Sequence, residues 1–183
     1  MTAPNIVFIL ADDLGWADLG VYGATDFKTP HLDRLAAQGV RFNQAYANSA
    51  VCSATRIALI TGRYQYRLRA GLEEPLARYG GQLGLQPEHP TLPSLLKKAG
   101  YDTALIGKWH LGQPPAYGPQ RSGYDYFFGN HHGAIDYFTH KPGVGEQFGR
   151  DLWQGSEPVE RSGYYTYILG DEATRYVQER KNI

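Results

Sequence analysis

Two short apolar runs, residues 5–10 and residues 103–106, each lead straight into polar residues able to do chemistry. Both are too short for a helix and too continuously apolar for a half-wet strand, so they read as strands covered on both faces. Helix signals lie around them. Thr29-Pro30 opens a helix, with Thr29 as N-cap, Leu32, Leu35 and Ala36 as its apolar face and Gly39 as its end. Residues 91–99 read as a second capped helix with Leu92, Leu95 and Leu96 facing inward, closed by Gly100. Residues 40–47 alternate as a strand, a short helix follows Cys52 and stops at Gly62, and residues 171–181 form a last helix with Tyr176 and Val177 on its apolar side. Residues 64–90, with Gly80-Gly81, read as an excursion, and residues 112–165 carry Gly, Pro and Tyr without clear elements. The alternation predicts an α/β fold, a largely parallel sheet flanked by helices on both faces.

The 183 residues suffice for one domain with its own core. Eighteen basic residues balance 18 acidic ones, which excludes a nucleic-acid module driven by bulk charge. No apolar run near the start could span a membrane. No basic segment or small-residue cleavage site precedes residues 5–10, so the sequence reads as cytoplasmic; a leader removed beforehand, from a periplasmic or secreted protein, leaves the same appearance.

Ligands of open parallel sheets sit beyond the carboxyl ends of the strands. The first run ends in Asp12-Asp13, the second in Gly107-Lys108-Trp109-His110. Two adjacent carboxylates there call for a cation or several donors, and a hard divalent ion such as calcium would serve. Taken alone, the pair reads more simply as a loop in which Asp13 caps the next turn. Lys108 and His110, two apart, project to one side of an extended segment and suit anion binding and proton transfer; alone, they read as a surface lysine and a satisfied histidine.

Cys52 is the only cysteine, so it has no partner within the chain. It begins the run Cys52-Ser53-Ala54-Thr55-Arg56, followed by an apolar stretch and Thr61-Gly62-Arg63. At the start of a helix, free N–H groups and the dipole favour an anion, and Arg56, one turn on, aims its fork at the same spot. The plainer alternative is a small buried hydrophobe with a solvated arginine.

The run resembles the signature of the type I sulfatases, C-x-P-S-R with a following T-G-R, with Ala54 at the usual proline and Thr55 at the usual serine. Residues 4–16, P-N-I-V-F-I-L-A-D-D-L-G-W, resemble the family's N-terminal segment, and G-K-W-H-L-G at 107–112 its second signature. G-Y-D-Y-F-F-G at 123–129 and D-Y-F-T-H at 136–140 are similar to segments of B-type arylsulfatases.

The resemblance implies an alkaline-phosphatase-like α/β fold and a sulfuric ester hydrolase. It implies that Cys52 is converted to formylglycine by a formylglycine-generating enzyme. Asp12, Asp13 and residue 52 would bind a divalent metal, calcium, near one sheet edge. Arg56 and Lys108 would bind the sulfate, and His110 would contact the formylglycine hydrate and take its proton. The substrate would be an aryl or carbohydrate sulfate ester, with no nucleic-acid or membrane partner. Family members are longer, so the chain is expected to be the N-terminal part of a catalytic domain, with further metal ligands and the leaving-group acid downstream. His131, His132 and His140 receive no role. Two other readings stand beside this one: a phosphonate or phosphate monoester hydrolase using the same residues, and a non-catalytic fragment.

Overall fold

The computed structural model describes residues 3–72, 83–143 and 149–180. The chain divides into two compact units, residues 1–46 and 47–183.

The first unit is built from two 3-10 turns, Trp16–Asp18 and Gly20–Tyr22, and helix α1, Pro30–Gln38. Thr29 precedes α1 as expected, but its hydroxyl makes no cap bond. It accepts from Gly20 N at 2.8 Å and donates to Asp33 Oδ1 at 3.0 Å, while the other contact of that carboxylate oxygen is Val21 N at 2.8 Å. The cap residue thus ties the helix start to the turn before it. Neither expected strand forms here: residues 5–10 and 40–47 are irregular among the described residues. A strand exists only through a ladder partner, and within this unit neither run has one. Val7, Ile9 and Phe42 remain exposed, as do Leu32 and Leu35 on the expected inner face of α1.

The second unit carries the sheet. Strands β1 (Ala104–Lys108), β2 (Tyr126–Asn130), β3 (Trp153–Gln154) and β4 (Glu157–Pro158) lie in the order β1-β2-β3-β4. β1 and β2 are parallel, with Leu105 opposite Phe127 and Ile106 opposite Phe128. β2–β3 and β3–β4 are antiparallel, so the described sheet is mixed where a largely parallel one was expected. For β3–β4 the cause is local: Gly155-Ser156, with Gly155 at φ 61°, is a two-residue turn, and such a turn joins only antiparallel strands. β2 to β4 fall within the stretch that sequence periodicity left blank.

Helices cover both faces of this sheet, as expected. α2 (Cys52–Thr61) brings Ile57 and Ile60 into one core with Leu105, Phe127, Trp109 and Leu111. α5 (Tyr165–Glu179) brings Tyr165, Ile168 and Leu169 against Ile106 and Phe128 on the other face. The alternation of side chains along β1 and β2 sorts them between the two cores. α5 begins six residues before the expected start, because Tyr164 makes no side-chain cap bond and so gives no start signal. Two smaller helices, α3 (Arg69–Leu72) and α4 (Leu92–Lys98), also lie in this unit. α4 has the expected cap: Thr91 accepts from Ser94 N, and Ser94 Oγ accepts from Thr91 N at 2.9 Å. Leu92 and Leu95 are exposed rather than inward, because α4 buries Pro93 instead. Gly80-Gly81 of the expected excursion lie outside the described residues, as does Lys181.

At the polar end of β1 and β2, Gly107 faces Gly129. Both have positive φ, 126° and 153°, and a Cβ built on Gly129 would lie 1.9 Å from the Gly107 carbonyl oxygen. Only glycine fits this approach.

Candidate active site

Two elements of the second unit bring Cys52, Arg56, Lys108 and His110 together. α2 starts at Cys52, with Val51 in extended conformation before it. The loop leading in is latched by Thr55, whose hydroxyl accepts from Ser49 N at 3.1 Å and donates to Ser49 O at 2.7 Å. Thr55 therefore uses its hydroxyl to shape the approach to Cys52. Ser53 and Ala54 are fully buried. Gly62, left-handed at φ 63°, closes the helix by donating to Ala58 O.

β1 delivers Lys108, Trp109 and His110. Trp109 is buried and donates through Nε1 to Tyr117 O at 2.8 Å, which anchors the segment. His110 takes a left-handed backbone, φ 54°, uncommon for a residue with a Cβ. Its ring is buried, and Nδ1 lies 3.2 Å from Cys52 Sγ. Arg56 Nη1 donates to the Lys108 carbonyl at 3.0 Å, so the arginine fork also ties α2 to the end of β1. Cys52, Arg56, Lys108 and His110 are thus joined by two described contacts between one helix and one strand end. The Arg56 guanidinium acts on Tyr124 as well: burial pushes that phenol up to about 12, against the pull of the cation.

Residues that sequence reading passed over form the floor of this arrangement. Trp109 N donates to Asn130 O at 2.9 Å and His110 N to His131 O at 3.1 Å, extending the β1–β2 pairing into the loop. Gly133 packs on the His110 ring so closely that a Cβ there would lie 2.5 Å from Cε1 and Nε2. Asn130, buried, donates to His132 O and accepts from Tyr165 OH, both at 2.7 Å. Asp151, 2% exposed, accepts from His131 N, His132 N, His132 Nδ1 and Trp153 Nε1. His131 lies between Phe127 and Trp153, and burial lowers its imidazole to about 4. His140 contacts Gly163 O at 3.2 Å. Most of these contacts join residues far apart in sequence, and no local signal announces them.

Asp12 and Asp13 lie in the first unit, at the end of the irregular run, Asp13 with φ 57°. Their carboxylates are the hard oxygen donors a calcium-class ion takes. Among the described residues no three His, Cys, Asp or Glu form a group able to hold a metal. Two carboxylates supply only part of the six to eight oxygens calcium takes.

A family model described as Sulfatase matches residues 4–182. N-acetylgalactosamine-6-sulfatase of Rattus norvegicus is 45% identical over 141 residues, covering 73% of this chain and 27% of that protein. N-acetylgalactosamine-6-O-sulfatase of Bacteroides thetaiotaomicron is 46% identical over 121 residues, covering 66% and 23%. The crystal structure of Ps i-CgsB superposes with a TM-score of 0.85 at 33% identity, covering 94% of this chain and 40% of that one. The chain therefore spans about a quarter of the length of the curated relatives it matches.

Proposed function

Because the chain belongs to the sulfatase family, we propose that Cys52, Arg56, Lys108 and His110 handle the sulfate group in the hydrolysis of sulfate esters. The observation that carries this reading is the contact of Cys52 Sγ with His110 Nδ1 at 3.2 Å, at the N-terminus of a ten-residue helix. A nucleophile placed there meets unpaired backbone N–H groups and the positive end of the helix dipole, and both favour an anion.

Formylglycine made from Cys52 would supply the nucleophile that attacks sulfur. His110 Nδ1 is within reach of the side chain at 52 and takes or holds its proton. The Lys108 ammonium and the Arg56 guanidinium contribute positive charge where sulfuryl oxygens gain negative charge, which is preorganised electrostatic stabilisation. Asp12 and Asp13 are assigned as two ligands of a divalent cation, calcium by the hardness of their oxygens. The names of the relatives point to a sulfated carbohydrate, an N-acetylgalactosamine 6-sulfate ester, as the substrate class. A formylglycine-generating enzyme is the partner that maturation requires.

The test has two parts. Co-expression with a formylglycine-generating enzyme should lower the mass of the Cys52 peptide by the thiol-to-aldehyde difference. The converted chain should then release sulfate from 6-sulfated N-acetylgalactosamine faster than it cleaves a matched phosphonate monoester. Faster cleavage of the phosphonate would move the assignment to a phosphonate hydrolase. A converted chain that cleaves neither in saturating calcium would overturn the catalytic reading.

A further inference from the structure

We propose that Asp151 is the positioning residue for His110, acting through the single peptide group between His131 and His132. The proposal rests on the reading of His110 as a site residue.

That peptide group has His110 at one end and Asp151 at the other. Its carbonyl, His131 O, accepts from His110 N at 3.1 Å. Its N–H, on His132, donates to Asp151 Oδ2 at 2.8 Å. A peptide group is planar and rigid, so fixing its N–H fixes the direction of its carbonyl. Hydrogen bonds in series through one amide also strengthen one another. The carboxylate also accepts from Trp153 Nε1 on β3 at 3.0 Å, and it holds the loop at two further points, His131 N at 3.1 Å and His132 Nδ1 at 2.8 Å. The last contact sets the His132 tautomer with its proton on Nδ1, because a carboxylate only accepts. Asp151 is itself held, its N–H donating to His140 O at 2.7 Å.

The need for such an anchor is visible at His110. Its left-handed backbone is not the ordinary choice of a histidine, so the surroundings must impose it. Gly133, three residues beyond Asn130 on the same loop, packs directly on the ring. A loop free to tilt would move both the acceptor of His110 N and the surface beneath its imidazole. The buried carboxylate, with four donors converging on it, prevents that tilt.

The first test uses the parent chain. The amides of His110 and His132 should show hydrogen exchange as slow as the β1–β2 core amides, because both are ladder-like and anchored. A fast-exchanging His132 amide overturns the proposal. The second test uses Asp151→Asn and Asp151→Glu with histidine-ring isotope labels. Asparagine retains one acceptor oxygen and turns an NH2 toward donors. Glutamate keeps the acceptors and shifts them outward. In either folded variant the His110 ring resonances should move while the methyl signals of Ile57 and Leu105 stay. An unmoved His110 ring in a folded variant overturns the proposal. In matured chain, kcat should fall on the order of tenfold or more with KM little changed, as for a displaced catalytic group. A matured parent without activity would sink the sulfatase reading alone, since exchange and ring resonances still decide the role of Asp151.

Discussion

Cys52 Sγ and His110 Nδ1 lie 3.2 Å apart although 58 positions separate them in the chain. Each reaches that point by its own device: the cysteine as the first residue of α2, the histidine by a left-handed turn after β1. Arg56, one helical turn from Cys52, closes the same junction through the Lys108 carbonyl.

Arg56→Lys is expected to keep the charge and lose the planar fork. In chain shown by mass spectrometry to carry formylglycine, turnover should fall on the order of 10²-fold or more, comparable to removing one oxyanion donor. Parental turnover in the converted variant would leave Arg56 only its structural tie to the Lys108 carbonyl.

Gly133→Ala places a methyl group 2.5 Å from two atoms of the His110 ring. The ring is buried and cannot simply swing away. The variant should lose about 1–3 kcal/mol, the usual cost of overpacking. Urea unfolding measures this, and an unchanged midpoint would show that the ring yields freely.

His131 predicts an acid-sensitive window. Burial holds its folded value at about 4, below the ordinary 6.5 of an exposed imidazole. Above about pH 6.5 it is neutral in both states and contributes no pH dependence. As pH falls from about 6.5 to about 4, the unfolded chain takes up a proton that the folded chain refuses. Stability should therefore drop across that window, by up to about 3 kcal/mol. His131→Phe keeps a flat ring against Phe127 and Trp153 and should flatten this part of the curve. Equal slopes for parent and variant between pH 6.5 and 4 would refute the assignment.

Calcium binding by this 183-residue chain should be weak. Asp12 and Asp13 supply two carboxylates where calcium takes six to eight oxygens. Titration calorimetry that found tight binding would mean that other residues of the chain complete the shell.

Sequence reading succeeds here where a signal is local. Thr91 and Ser94 announce α4, Gly62 ends α2, and the spacing from Cys52 to Arg56 places both on one helix. It fails where a feature exists only through a distant partner. Residues 5–10 have strand composition but no ladder in their unit, whereas Tyr126–Asn130, with less obvious patterning, becomes β2 because β1 pairs with it. Asp151 and Gly133 are silent for the same reason. Their meaning is a contact with a loop or a ring supplied from elsewhere in the chain.

The facing glycines of β1 and β2 have a consequence for how errors of assembly are avoided. A β2 slipped by one position would bring Phe128 or Asn130, each with a Cβ, to the spot where Gly129 meets the Gly107 carbonyl at a distance no side chain tolerates. The notch accepts one alignment only. Lys108 and then His110 follow it where β1 ends, Asn130 and His131 where β2 ends. The mutual placement of those four residues is therefore settled when the two strands zip together, before any anion arrives to organise them.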